Sequence, residues 1–181
     1  MKKLGKQTIK FDIPPSIVSV ASIVGPKEAN GPLAQYFDQC LDDEFWGEKT
    51  WEKSESKIIK ETVNMAISKS GIASSDIEYC FAGDLLNQCI SSSFGLRELN
   101  IPFIGIFGAC STFVEGLSLG AVFTESCAQN VICAASSHFC SAEKQFRFPL
   151  ELGNQRPQTS QWTVTGAGSA ILSKTGNGPY I

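Results

Sequence analysis

The sequence predicts an α/β fold, a mixed five-stranded sheet covered by helices on both faces, and three observations carry that expectation. Short runs of β-branched and aromatic residues alternate with longer segments whose apolar positions recur at helical spacing. The runs at 101–107 and 131–135 are apolar almost throughout, as strands buried on both faces must be. The chain of 181 residues, 43% hydrophobic and 18% charged, is long enough for one sizeable core.

The elements follow in order. Residues 17–24, IVSVASIV, read as a strand that Gly25-Pro26 stops. Eight of the 18 acids then fall between Asp38 and Glu61, mixed with Lys49, Lys53, Lys57 and Lys60, which predicts a solvated helix face. Trp51, Ile58, Ile59, Val63, Ala66 and Ile67 share the other face of that first long helix, with Thr50 as N-cap and Gly71 just past its end. Ser74-Ser75-Asp76 turns the chain into a strand at 77–82, which Gly83 ends and Asp84 follows. Residues 87–99 read as a helix, 101–107 as a strand, 111–128 as a helix, 131–135 as a strand, 136–160 as an irregular polar stretch and 162–173 as a last strand. In such a sheet, sites form at the carboxyl ends of the strands.

Composition excludes several classes. Disordered and collagen-like chains do not fit, and no apolar run reaches the roughly 20 residues of a membrane-spanning helix. A net charge of −3 without a clustered basic face predicts no nucleic-acid partner. Lys2, Lys3, Lys6 and Lys10 are not followed by a secretory pattern, so the chain is expected to be intracellular. Seven cysteines without a CxxC pair predict reduced, mostly buried thiols; with one histidine, no structural zinc and no cofactor are expected. Gly176-Asn177-Gly178-Pro179 after the last strand, with no closing helix, suggests a piece of something longer.

The sharpest chemical feature is FGACST (107–112), where a buried strand turns through small residues into a helix. A thiol at a helix start meets unpaired backbone N–H groups and the positive end of the helix dipole, which favour the thiolate, and the same groups hold carboxylates. Cys110 is therefore either a reactive group or a small packing residue. Asp84 and Asn87 follow one predicted strand and Ser136 and His138 another, so these loops are expected to converge with Cys110 and Ser111 on one pocket. Asp84 reads equally as a helix cap, and His138 as a satisfied structural group. Lys144 and Arg147 offer charge to an anion, or simply decorate a surface loop.

AGDLLNQ (82–88), FGACST (107–112), SSH (136–138), AEKQFRFP (142–149) and TVTGAGSAI (163–171), with GKQT (5–8) and GPKE…GPL (25–33), resemble the stage V sporulation protein AD family over nearly all 181 positions. The resemblance implies that residues 1–181 form the N-terminal half of a thiolase-like protein, a βαβαβαββ unit. That family is similar to thiolases and β-ketoacyl synthases, whose nucleophilic cysteine occupies the strand-to-helix turn where Cys110 stands. Their catalytic bases come from the second half, which this chain does not contain, and His138 matches none of them.

The resemblance thus implies ligand binding without catalysis: capture of dipicolinic acid, pyridine-2,6-dicarboxylate, for uptake into the developing spore. A flat aromatic dianion calls for N–H groups, hydroxyls and a cation. Cys110, Ser111, Asn87, Ser136 and His138 would supply the hydrogen bonds and Lys144 or Arg147 the charge. Asp84 would orient a donor, carry a proton or meet Ca²⁺ accompanying the ligand. The resemblance further implies a homodimer, peripheral to the spore inner membrane, working with membrane proteins encoded in the same operon. The alternative is an acyltransferase with Cys110 as nucleophile.

Overall fold

The computed structural model describes residues 1–146, 159 and 161–181. Its core is a six-stranded mixed sheet in the order β4-β3-β8-β7-β5-β6, formed by β3 (Ser16–Val24), β4 (Gln39–Cys40), β5 (Tyr79–Gly83), β6 (Phe103–Gly105), β7 (Asn130–Ser137) and β8 (Gly166–Ser173). The five predicted strands are all present. The sixth, β4, is a two-residue edge strand, too short to show an alternation pattern in sequence. β5 runs parallel to both β6 and β7, and β8 lies antiparallel between β7 and β3.

One face of the sheet carries α2 (Trp51–Ser70), the other α4 (Thr112–Ser126). Neighbouring residues of β7 serve opposite faces: Ile132 and Ala134 join Ile58, Ile59, Val63 and Ala66 of α2, while Val131 and Cys133 join Ala121 of α4 and Phe81. Strand periodicity of two, with both sides buried, explains why these strands read as continuous apolar runs. The serines of the sheet dock α2 through its backbone, Ser19 Oγ donating to Ala66 O at 2.8 Å and Ser169 Oγ to Thr62 O at 3.0 Å. On the opposite face, Gly120 brings α4 close: a methyl group there would lie 2.8 Å from Cys133 Sγ.

The predicted caps of α2 hold. Thr50 Oγ1 accepts from the Lys53 N–H at 3.3 Å, and Gly71 adopts the left-handed conformation (φ 71°) that ends the helix. Other expectations need correction. An N-terminal hairpin, β1 (Lys2–Leu4) with β2 (Thr8–Lys10), stands apart from the sheet, and α1 (Pro26–Ala29) follows β3. The helix expected at 87–99 is shorter, α3 (Ile90–Leu96), continued by a 3₁₀ turn, because Asn87 and its neighbours belong to a loop anchored on Asp84. Within the stretch read as irregular lies α5 (Phe139–Phe146), an eight-residue helix that buries Ser141 and Ala142. The strand expected from Trp162 begins only at Gly166.

Burial also corrects two compositional readings. Glu55, placed by its acidic neighbourhood on a solvated face, is 1% exposed among Ile58, Ile59 and Thr62. The thiols are not mostly buried: Cys80 and Cys133 are, but Cys40, Cys110 and Cys127 are exposed, and all seven are free.

Candidate functional site

Three parallel strands end at the same edge of the sheet, and each delivers a loop. After β5, Gly83 is required by a close approach, since a methyl group there would run into the Ile106 carbonyl oxygen and sit 2.8 Å from Thr112 Cγ2. Asp84, 1% exposed, then organises the loop into α3: its Oδ1 accepts from Leu86 N at 2.8 Å, and its Oδ2 from Ser92 N at 2.8 Å and Ser92 Oγ at 2.6 Å.

After β6, Ala109 takes a left-handed backbone (φ 49°) and residues Ala109–Ser111 form a 3₁₀ turn into α4. The turn is tied by Thr112 Oγ1, which accepts from Gly108 N at 3.0 Å and donates to Ala109 O at 2.9 Å. This geometry leaves Cys110 exposed at the start of the helix. Burial pushes the Cys80 thiol up to about 12, and the Cys133 thiol higher still, so these two are inert packing groups.

A cavity of about 590 Å³ opens between these loops, the end of β7 and the start of β8. Asp84, Cys110 and Ser136 line it, so three of the expected residues converge. Phe37, Phe113 and Trp162 add aromatic wall, and Ser22 and Ser137 add hydroxyls. The remaining expected residues lie elsewhere. Asn87 lines a separate hollow with Cys89 and Phe107, and its N–H donates to Gln145 Oε1 at 3.1 Å. Ser111 turns its hydroxyl back to Gly108 O at 2.7 Å. His138 is fully buried; Nδ1 accepts from Cys140 N at 3.2 Å, so Nε2 carries the hydrogen donated to Glu44 O at 2.8 Å. Lys144 pairs with Glu52 at 3.2 Å on the surface. Arg147 lies outside the described residues.

Sequence reasoning missed three groups here. Lys27 of α1 places Nζ 2.8 Å from the centre of the Trp162 ring, a cation beside the cavity wall; its signal was the GPKE motif (25–28) that contains it. Trp162 itself, packed on Phe139 at 4.5 Å, stands in the sequence only as the start of the expected strand. The third is Glu55, behind the cavity floor, whose Oε1 is hydrogen-bonded to Ser136 Oγ at 3.1 Å and Oε2 to Ser141 Oγ at 2.9 Å. Burial, reinforced by the charge of Asp84, raises its carboxyl to about 7. Its spacing of three and four residues from Ile58 and Ile59 was the available signal.

A mixed sheet between helices, with a cysteine at a strand-to-helix turn above a cavity, defines a thiolase-like chain. Solved structures of the same fold include 3-oxoacyl-[acyl-carrier-protein] synthase III from Aquifex aeolicus, with a TM-score of 0.61 and 13% identity over 90% of this chain and 55% of that one. Cerulenin-bound OleA from Xanthomonas campestris gives 0.56 and 14% over 91% of this chain and 56% of that one. At such identities the likeness shows the fold alone.

The chain belongs to the stage V sporulation protein AD family, whose pattern matches residues 5–181. Stage V sporulation protein AD of Bacillus subtilis (strain 168) is 40% identical over 176 residues, 97% of this chain and 52% of that protein. The chain therefore spans about half the length of the curated relative it matches. Among the described residues, no helix is long and apolar enough to cross a membrane.

Proposed function

We propose that this chain binds dipicolinic acid in the cavity at the Cys110 turn and serves its uptake into the developing spore, as a non-enzymatic thiolase-like scaffold. The observation that carries the reading is the cavity itself. Its size falls within the roughly 300–1,000 Å³ of small-molecule sites, and its walls combine aromatic faces with a thiol and hydroxyls in a chain of a sporulation family. Phe37, Phe113 and Trp162 suit the faces of a flat pyridine ring, and Cys110 with the start of α4 suits a carboxylate. Both Asp84 oxygens are already bonded, so the ligand's charge is met by Lys27 beside Trp162 and by Arg147, with or without Ca²⁺. In the same reading the whole protein is a homodimer, peripheral to the spore inner membrane, that works with membrane proteins of its own operon.

Calorimetric titration of dipicolinate, with and without Ca²⁺, tests the reading, with isophthalate as the control lacking the ring nitrogen. Saturable heat that isophthalate does not reproduce and that weakens in Cys110→Ala supports it. The acyltransferase reading rests on the exposed Cys110 at the same turn. Absence of dipicolinate heat together with acylation of Cys110 by an acyl thioester would replace the receptor with that enzyme.

A further inference from the structure

The hydrogen bonds behind the cavity floor hold more information than the cavity wall. Two buried carboxyls, Glu55 of α2 and Asp84 after β5, meet there, and their donors differ in kind. Asp84 accepts from two backbone N–H groups, which can only donate, and from the Ser92 hydroxyl, which lies 2.6 Å from Oδ2 and farther, 3.2 Å, from the Cys89 carbonyl oxygen. Glu55 is bonded only to hydroxyls, which donate or accept as required.

Ser141 bears on the state of Glu55. Its Oγ lies 2.9 Å from Glu55 Oε2 and 3.1 Å from the His138 carbonyl oxygen, and a hydroxyl has one hydrogen for two acceptors. Each contact has a hydrogen of its own when the one between Glu55 and Ser141 belongs to the carboxyl and Ser141 donates onward to His138 O; with Glu55 ionised the two acceptors share one hydrogen. The buried Ser91 hydroxyl of α3, which has no other hydrogen-bond partner among the described residues, faces the same carboxyl. Among the described residues, the other titratable groups around this corner are His138, in its Nε2–H form, Glu44, Cys140 and Glu143 near it, Cys89 beside Asp84, and Lys144 of α5, exposed and paired with Glu52.

We propose that Glu55 carries a proton in the resting chain and that loss of this proton, felt through Ser136 and Asp84 in the cavity floor, disfavours anions in the cavity. The inference deepens the reading of the cavity as an anion site: a dianion would be held with Glu55 neutral and released as Glu55 ionises. A carboxyl so placed is a positioning and charge-setting group behind the ligand, not a contact to it. Its titration near neutrality lets a modest change in acidity alter anion affinity.

Cys110 provides a readout that needs no natural ligand, because it is exposed and lines the cavity. Iodoacetate and iodoacetamide alkylate the same thiolate but differ in charge, so the ratio of their rates at Cys110 reports the local potential and cancels the ionisation of the thiol itself. Read by peptide mass spectrometry from about pH 6 to about pH 8.5, the ratio is expected to fall about three- to tenfold in the wild type and to stay flat in Glu55→Gln. In Ser141→Ala, which removes a donor to the ionised form, the fall moves to higher pH. Identical curves for wild type and Glu55→Gln, or an unmoved midpoint in Ser141→Ala, overturn the proposal. If the ratio behaves as expected while dipicolinate gives no heat, the choice of ligand fails and the assignment of the proton stands.

Discussion

The loops after β5 and after β6 stand side by side at one sheet edge and treat their polar groups in opposite ways. The first turns Asp84 inward, buries it and spends both oxygens on Leu86 and Ser92, so the loop is held by its acid. The second ties its backbone through Thr112 and leaves Cys110 exposed at the helix start. One builds the floor and the other presents an exposed thiol. The lesson is that residues which converge on a cavity are not thereby equal: those with every polar atom bonded set its shape and charge, and those with spare atoms meet the ligand.

That division is open to attack by substitution. The largest effect is expected at the junction of the two loops, where Gly83→Ala forces a methyl group against the Ile106 carbonyl and Thr112; a loss of about 3 kcal/mol in denaturant unfolding would mark the contact as rigid. A loss below about 0.5 kcal/mol would show that the floor yields.

Next is the pH dependence set by Glu55. Its carboxyl is raised from 4.5 to about 7 on folding, so its proton favours the folded state fully below about pH 4.5, and that contribution is withdrawn as pH rises through about 7. The interval corresponds to about 3 kcal/mol as an upper figure. Glu55→Gln is therefore expected to lose less stability than the wild type between about pH 5 and about pH 8, as measured by urea melts at both values. Parallel losses would show that the floor does not hold the proton. The smallest effect belongs to the rim: Cys110→Ala should change stability by less than about 0.5 kcal/mol, since the side chain is exposed.

The same contrast explains what the sequence made legible. Features that depend on neighbours in sequence were readable: the Thr50 cap, the Gly71 stop, the apolar runs of β5 and β7, and the strand-to-helix turn that carries Cys110. Features that depend on partners far along the chain were not. Glu55 looks like any acid of a charged helix until Ser136 and Ser141, more than 80 residues away, close over it. His138 followed its strand as expected, yet its ring is turned to Glu44 rather than to the cavity, a choice made by a loop 94 residues earlier. Lys27 and Trp162 meet across most of the chain, and neither has a local pattern that names the other. The helix at Phe139–Phe146 was hidden for a different reason: its eight residues are about two turns, too few for a helical period to separate from an irregular stretch.

The most direct test of the central claim, that dipicolinate occupies the cavity at the Cys110 turn, is protection of that thiol. Alkylation by iodoacetamide, followed site by site, should slow saturably at Cys110 as dipicolinate is added. The exposed thiols Cys40 and Cys127 should be unaffected, and isophthalate should give no protection. An unchanged Cys110 rate at dipicolinate concentrations that saturate any measured binding would place the ligand elsewhere and contradict the account.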